Sequence, residues 1–431
     1  MTTGIDTKWF GAIPSHWKVL KIKYCFAITS GSGFPVNMQG KENGDYPVFK
    51  ASDISANNFR SAKKSANYIT KQESKNFKIL PKGTIIFPKI GEALKKNNRA
   101  ILAVDACLDN NCQGLTPINT DEKYSLYLLS CINMNWFDNS CTVPCINNTT
   151  LKNCFIPFPP KYEQSAIANF LDAKCAEIDA LTADIKKQIE TLQEYKKSVI
   201  IEAIAKGLDL NVEMKDSGIQ WIGLMPNDWE ISRIKYGCIK IGSGKTPKGG
   251  AEKYTNEGII FLRSQNIYDT GLVLDEVAFI TKEIHHEMSS SAVKQNDVLL
   301  NITGGSIGRC CIVPENFPEA NVNQHVCIIR SNKYAPKWIK YFWNSSCGQF
   351  SISRLQGSAN REALNFEEIG NAFLPIPPID IQKRIISYLD NKTKEIDKTI
   401  QAKSNQLDLL QKYKQSLIFE YVTGKKTVPN A

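Results

Sequence analysis

Turn-like segments in the second half of the chain concentrate side chains that can read nucleic acid. Residues 261–266, 301–309, 321–325 and 358–362 are rich in Arg, Asn, Gln and Ser. Such side chains donate to guanine and adenine edges or hold phosphate oxygens. Turns are also commonly built from Asn, Gly and Ser, so residue type alone leaves a purely structural interpretation equally open. The candidate contacts on the nucleic-acid interpretation are Lys245, Thr246, Arg263, Ser264, Asn266, Thr303, Ser306, Arg309, Asn323, Gln324, Asn360 and Arg361.

The first 160 residues are basic, with 19 Lys and Arg against 11 Asp and Glu. A cluster of positive charge between residues 63 and 99 is typical of a surface that binds a phosphate backbone, although a solvated lysine face has the same composition. Arg is scarce in this region, and Lys anchors phosphate more readily than it reads a base. We therefore predict fewer Arg–guanine contacts from the first half of the chain. Its candidate contacts are Lys50, Ser52, Lys89, Lys95, Lys96, Arg99, Asn111 and Gln113.

The segments that resemble catalytic or metal-binding motifs each lack a required residue or spacing. The segment 241–246 ends like a phosphate-binding loop, but Ile239 occupies the position where that motif requires Gly. The segment 303–308 lacks the glycine spacing of a dinucleotide site. The pairs Cys107/Cys112 and Cys141/Cys145 lack a second C-x-x-C pair or nearby His residues, which argues against zinc. The sequence therefore predicts no catalytic residues, no metal and no cofactor in this chain.

Two long segments would position the candidate contacts. Residues 161–206 and 379–422 share at least nine identities at a constant offset of 218, and neither contains an internal Pro or Gly. Leu389, Ile396, Lys403, Leu410 and Leu417 recur every seven residues in the second segment, which favours a coiled-coil seam. We expect two antiparallel helices that form an intramolecular coiled coil and act as a spacer. Two amphipathic helices packed on separate cores are the alternative.

The repeat extends beyond the helices. Residues 9–24 align with residues 221–236 at an offset of 212, and the Pro-rich segment 155–160 aligns with 373–378 at 218. Short β-rich runs bounded by Gly, Pro, Asn or Asp lie between these edges, which predicts mixed α/β units. The order is therefore unit, helix, unit, helix. The predicted limits are 1–160 for the first unit, 161–210 for the first helix, 211–378 for the second unit, 379–425 for the second helix and 426–431 for a tail.

Composition sets outer bounds on the kind of protein. The chain has 431 residues, of which 42% are hydrophobic and 22% charged, as in globular proteins with more than one core. Its apolar runs are shorter than the ~20 residues needed to cross a bilayer. Thirteen cysteines are an odd number without a small-domain framework, which favours reduced thiols. We expect a cytoplasmic protein without a membrane partner.

The duplicated order of elements resembles the specificity subunit of type I restriction-modification enzymes. The resemblance rests on the Trp-rich opening of residues 221–229, the Pro-rich exit, the Gln at each helix start and the occurrence of all three twice. It implies an α+β protein with two mixed α/β target recognition domains, joined by two long antiparallel helices as a pseudo-twofold internal repeat. Each domain would read one half of a bipartite site on double-stranded DNA. The helices would set the spacer and dock two methyltransferase subunits, and restriction subunits would join the full complex.

A second function class fits the same sequence. A coiled-coil scaffold whose globular units bind proteins would also combine long helices with polar loops, and the basic first unit would then be incidental. Binding to duplex DNA that weakens steeply with salt separates the two classes.

Overall fold

The computed structural model describes residues 7–57, 61–139, 143–209, 211–356 and 363–429. The chain folds into two compact units, Met1–Ile185 with Asn405–Ala431, and Lys186–Ser404. Each unit therefore contains one mixed α/β region and part of each long helix. The two helices span Lys161–Lys206 and Ile379–Val422 and end a few residues before the predicted limits of 210 and 425. Within the described residues, no helix is long and apolar enough to span a bilayer.

The first unit is built from short strands and short helices around two small sheets. One sheet has the strand order β2-β9-β6-β7-β4 and another the order β5-β3-β8, while β1 pairs with β10. The strands are β1 (Lys18–Lys21), β2 (Phe26–Ser30), β3 (Tyr46–Phe49), β4 (Ser61–Ala62), β5 (Tyr68–Ile69), β6 (Ile85–Pro88), β7 (Ala100–Leu102), β8 (Cys107–Leu108), β9 (Cys112–Pro117) and β10 (Phe155–Phe158). The helices are α1 (Ile22–Cys25), α2 (Ala51–Ala56), α3 (Glu92–Lys95), α4 (Glu122–Ser130), α5 (Asn148–Asn153) and the first part of α6 (Lys161–Lys206), together with the last part of the second long helix.

The second unit repeats this plan. Its main sheets have the orders β14-β22-β19-β20 and β18-β15-β21, and β13 pairs with β23 as β1 pairs with β10. The strands are β11 (Met214–Asp216), β12 (Leu224–Pro226), β13 (Glu230–Arg233), β14 (Cys238–Ser243), β15 (Ile259–Leu262), β16 (Ile267–Tyr268), β17 (Gly271–Leu272), β18 (Ala278–Ile280), β19 (Val298–Asn301), β20 (Cys310–Ile312), β21 (Ala320–Val322), β22 (Val326–Ser331) and β23 (Phe373–Ile376). The helices are α7 (Lys282–Glu287), α8 (Pro336–Asn344), α9 (Ser346–Gln356), α10 (Phe366–Asn371) and the first part of α11 (Ile379–Val422), together with the last part of α6.

Strands β6 and β19 occupy equivalent central places in the two units. Both are apolar over most of their length and buried at every position, as expected for strands covered on both faces. The pair that ties each of them to the neighbouring strand differs in chemistry. Thr84 and Thr116 share a 2.9 Å hydrogen bond in the first unit, while the Arg330 guanidinium binds the buried Asp297 carboxylate through two 2.7 Å bonds in the second.

The long helices pack antiparallel within each unit, as predicted. In the first unit the rings of Phe170 and Tyr421 are 4.5 Å apart, and Lys414 donates to Asp179 at 2.6 Å. As the residue number rises along α6, that of its α11 partner falls. The helices are also antiparallel in the second unit, where Lys403 donates to Gln188 at 2.5 Å and Lys196 donates to Asp397 at 2.7 Å.

Much of the helix repeat has a structural explanation. Asp179/Asp397 and Lys196/Lys414 are repeat-related pairs, and they form the two interhelix ion pairs just described. Exposed pairs of this kind contribute at most about 1 kcal/mol each, so we assign them to register rather than to stability. Leu181 is one of the apolar residues that recur every three or four positions in the first helix and so predict a seam, but it is 53% exposed and lies outside the seam.

A buried glutamine fixes the start of each long helix. The Gln164 amide donates to Pro159 O at 2.9 Å and accepts from the Thr120 hydroxyl, while Gln382 donates to Pro377 O at 2.9 Å. A buried polar group left without a partner costs about 1–3 kcal/mol, so loss of these hydrogen bonds would destabilise the helix start. The repeated Gln therefore anchors the Pro-rich exit to the first turn of the helix.

Candidate nucleic-acid interface

Four loops of the second unit meet at one edge of its sheets. They follow β14, β15, β19 and β21, and they carry most of the contacts predicted for this unit. Ile302 N donates to His325 O at 3.0 Å, Lys245 N donates to Val322 O at 3.2 Å, and the Asn301 amide donates to Ser264 O at 2.8 Å. These bonds join residues distant in sequence into one polar surface.

The loop after β14 approaches the backbone of β21 closely. A Cβ atom added to Gly244 would lie 1.7 Å from Val322 O, far inside contact distance. Only glycine fits at this position, and the close approach places Lys245 and Thr246 beside the turn at Gln324. The Thr246 hydroxyl donates to the Gln324 side-chain carbonyl.

Two arginines of this edge lie against aromatic rings. The Arg309 guanidinium lies 4.8 Å from the centre of the Tyr268 ring, and that of Arg263 lies 5.8 Å from the Tyr254 ring and donates to Glu276 O at 3.0 Å. A guanidinium stacked on a ring loses less freedom when it binds a ligand. Both arginines are half-buried, so each still exposes part of its surface. Sequence reasoning missed the supporting Tyr254 and Tyr268, which lie apart from the polar segments.

Burial divides the predicted contacts of the second unit. Lys245 and Gln324 are exposed, and Thr246, Arg263, Ser264, Thr303, Ser306 and Arg309 are half-buried. The assignments of Asn266 and Asn323 as DNA contacts need correction, because their side chains are buried and shape turns. Asn266 Oδ1 accepts from Arg263 N at 2.9 Å, and Asn323 Oδ1 accepts from His325 N at 3.1 Å. Asn360 and Arg361 lie outside the described residues.

The first unit builds its edge in the same way. Lys50 N donates to Asp53 Oδ2 at 2.8 Å, as Arg263 N donates to Asn266, and Asn111 N donates to Asp109 Oδ1 at 3.1 Å, as His325 N donates to Asn323. The related positions are 213 or 214 residues apart. Sequence comparison located only the edges of the repeat, whereas the structure carries it through the loops.

Lysines dominate the exposed part of this edge. Lys95, Lys96, Ser52 and Asn111 are exposed, and Lys50 and Lys89 are half-buried. The Lys95 ammonium binds Glu92 at 2.6 Å, and this hydrogen bond raises the pKa of Lys95. The lysine therefore stays cationic at neutral pH, although Glu92 offsets part of its charge.

Two predicted contacts of the first unit are buried, which corrects their assignment. Arg99 is fully buried and donates to Ile132 O at 3.0 Å and to Asn97 Oδ1 at 2.7 Å, and burial lowers its pKa to about 10. The amide of Gln113 is buried and donates to Asn148 Oδ1 at 2.6 Å. Both side chains hold neighbouring segments together, and neither reaches the surface that a duplex would contact. Charge and residue type could not reveal this burial.

Comparison with known proteins places the chain in a family. Residues 14–191 and 226–408 each match the type I restriction modification DNA specificity domain. The chain belongs to this family. The two matches correspond to the two copies of the repeat, so the predicted type I specificity subunit is confirmed. Among the described residues, no group of three or more His, Cys, Asp or Glu side chains could hold a metal ion.

Individual relatives have low sequence identity to this chain, but their alignments cover most of it. The chain is 27% identical to the type I restriction enzyme EcoBI specificity subunit of Escherichia coli over 321 residues, which cover 69% of this chain and 64% of that protein. It is 23% identical to the MjaIX specificity subunit of Methanocaldococcus jannaschii over 436 residues, covering 97% and 95%. The second alignment includes nearly all of both chains.

Solved structures show the same fold. A chain from a study of complex assembly and conformational transition of the type I R-M system matches with a TM-score of 0.72 at 14% identity, covering 96% of this chain and all of that chain. The HsdS subunit of Thermoanaerobacter tengcongensis matches with a TM-score of 0.50 at 15% identity, covering 96% and 98%. The predicted fold class, with its two mixed α/β units and two long antiparallel helices, is confirmed.

Proposed function

We propose that this chain gives a type I restriction-modification complex its DNA specificity, with each unit reading one half of a bipartite site in duplex DNA. The observation that carries the proposal is the duplicated edge. Both units bring loops from equivalent strands together, and each edge presents basic and amide side chains to solvent. Two similar readers in one chain suit a target with two half-sites.

The two edges differ in the chemistry that they offer. The first exposes Lys95 and Lys96, whereas the second combines the stacked Arg263 and Arg309 with Gln324. Lysine holds phosphate as a point charge, while Arg and Gln can form paired hydrogen bonds with base edges. The first half-site reader therefore makes fewer Arg–guanine contacts than the second, and phosphate binding forms a larger share of its affinity.

The long helices serve as the spacer in this proposal. With 46 and 44 residues at a rise of about 1.5 Å per residue, they are roughly 69 and 66 Å long. Insertion of one heptad into one helix changes the preferred number of base pairs between half-sites and leaves the half-site sequences unchanged. Binding to duplexes of graded spacer length measures this. A changed half-site sequence would contradict the spacer role.

Methyltransferase subunits are the proposed partners of the helices. Leu181, Leu409 and Tyr413 of the first unit are 53%, 64% and 56% exposed, and exposed apolar side chains on a helix pair suit a protein partner. Two methyltransferase copies would use the two copies of the repeat, and restriction subunits would complete the complex in the cytoplasm. The partners would supply the chemistry, so the purified chain alone neither methylates nor cleaves DNA.

Reconstitution tests this function. The full chain is combined with methyltransferase subunits, and methylation of a random-sequence duplex pool is mapped. We expect methylation within a bipartite sequence, and replacement of residues 303–309 should change only the second half-site. Replacement of the equivalent loop, residues 90–96, should change only the first. Methylation or cleavage by the chain alone would refute the proposal. Loop replacements that leave the sequence preference unchanged would favour a scaffold that binds proteins.

A further inference from the structure

A chain of hydrogen bonds links three loops of the second unit through one exposed side chain. The Thr303 hydroxyl and His325 Nδ1 are 2.7 Å apart, and His325 Nε2 lies 3.3 Å from Gln324 Nε2. The Gln324 carbonyl oxygen accepts from the Thr246 hydroxyl. The network thus joins the loops after β14, β19 and β21. His325 connects Thr303 to Gln324, although it is absent from the contacts predicted from sequence.

The amide nitrogen of Gln324 faces Nε2 of His325, and this contact fits one arrangement of the hydrogen atoms. A primary amide nitrogen only donates, so His325 Nε2 must accept from Gln324. In this arrangement the ring proton of His325 lies on Nδ1, and the Thr303 hydroxyl accepts it. Rotation of the Gln324 amide by half a turn would oppose its carbonyl oxygen to the unprotonated Nε2. With its ring proton on Nδ1, the histidine thus favours one orientation of the amide.

This orientation leaves two hydrogen-bonding groups free on an exposed side chain. Gln324 has one N–H beyond the bond to His325, and its oxygen has one lone pair beyond the bond from Thr246. The major-groove edge of adenine offers an acceptor at N7 and a donor at N6, which match a free N–H and a free carbonyl lone pair. Guanine offers two acceptors there and matches only the N–H.

We propose that Gln324 reads an adenine in the half-site of the second unit, and that His325 is the positioning residue that fixes its amide. This inference rests on the proposed DNA-reading function and adds the base and the device that selects it. Lys245 beside the network is exposed. In this proposal it binds phosphate and does not read a base.

The first unit lacks this device. Backbone bonding equates Asn111 with His325 and Asn110 with Gln324, because Lys89 N donates to Asn111 O as Ile302 N donates to His325 O. Ile90 then corresponds to Thr303 and Gly33 to Thr246. Neither Ile90 nor Gly33 has a side-chain hydrogen-bonding group, so the relay cannot form. Fixed amide reading is thus specific to the second unit.

Selection from a randomised duplex library tests the proposal with the full chain. The wild type should yield a bipartite consensus with an adenine in the second half-site. Gln324→Glu replaces both amide donors by acceptors and should move the preference at that one position from adenine to cytosine, whose N4 donates. Gln295→Glu is the matched control. It makes the same charge change at an exposed glutamine before β19, whereas Thr303 follows that strand, and its consensus should equal the wild type's.

A second variant separates positioning from folding. His325→Asn keeps an amide nitrogen near the place of Nδ1 for Thr303 but lacks the atom that faces Gln324. It should lower the preference for adenine over guanine at the same position about 10-fold, within the range of one paired base contact. Affinity for a duplex of unrelated sequence should stay unchanged.

The outcomes distinguish this inference from the proposed function. A wild-type library without any consensus would overturn both. A bipartite consensus that Gln324→Glu leaves unchanged, or a His325→Asn variant that keeps the adenine preference, would overturn this inference alone.

Discussion

The ion pair between Asp297 and Arg330 joins the two strands of the second unit that lead to the loops of Thr303 and His325. It connects β19, which leads into Thr303, with β22, which follows His325. The Asp297 side chain is fully buried, and Arg330 binds it through Nε and Nη2 at 2.7 Å each. Arg330→Thr would leave a buried carboxylate without its cation.

The equivalent strands of the first unit show which uncharged pair can replace Asp297 and Arg330. Removal of one partner of a buried ion pair costs about 3–5 kcal/mol, whereas replacement of both partners by uncharged side chains that pack well is often neutral. Thr84 and Thr116 already form such a pair in the equivalent strands. We therefore expect Arg330→Thr to destabilise the second unit by about 3–5 kcal/mol. Combined Asp297→Thr and Arg330→Thr substitutions should recover most of that loss.

Native-state hydrogen exchange resolved by peptide is the suitable assay, because it reports on each unit separately. Peptides from β19 and β22 should exchange faster in Arg330→Thr and regain protection in the double variant, while peptides of the first unit stay unchanged. Thr116→Val in the first unit is the control, with an expected loss of about 1 kcal/mol for one neutral hydrogen bond. A single variant with normal protection, or a double variant as unstable as the single one, would refute the reasoning.

Three further predictions concern a turn, a helix start and the thiols. The Cβ of an alanine at position 244 would overlap Val322 O, so Gly244→Ala should disorder the loop after β14. Sequence-specific DNA binding should weaken at least 10-fold, while the helix content measured by circular dichroism stays unchanged. Normal DNA binding would contradict this prediction. Burial raises the pKa of Glu163, but hydrogen bonds from Trp17, His16 and Tyr162 outweigh it and hold this pKa below its usual range. The stability that Glu163 contributes is thus lost as the pH falls through its lowered pKa. In acid titrations, Glu163→Gln should flatten this part of the curve of unfolding free energy against pH. An unchanged curve would exclude the effect. Burial raises the pKa of most described thiols, including Cys327 to about 12, so they should resist alkylation at pH 8 until urea unfolds the chain, and rapid native labelling of Cys327 would be inconsistent with its burial.

The sequence predicted the repeated architecture because that information is local. Heptad spacing, absence of helix breakers and matched Pro-rich exits are all visible along the chain. The helices and their antiparallel packing followed from these features. Leu181 was misplaced because a spacing of three or four residues does not say which apolar side chains face the partner helix.

The reading surface was only partly predictable, because burial depends on contacts distant in sequence. Arg99 and Gln113 have the residue types of DNA contacts, yet their partners Ile132 and Asn148 turn them inward. Conversely, His325 was not among the predicted contacts, because only the folded loops place it between Thr303 and Gln324. Residue type indicated the right loops, and the tertiary fold decided which side chains in them remain available.

Mapping methylated positions in cells that express this chain with its methyltransferase partners tests the central claim most directly. We predict methylation within one bipartite sequence, and exchange of the second unit's loops should alter only one half of that sequence. Methylation without a bipartite pattern, or a pattern that ignores the loop exchange, would contradict the account.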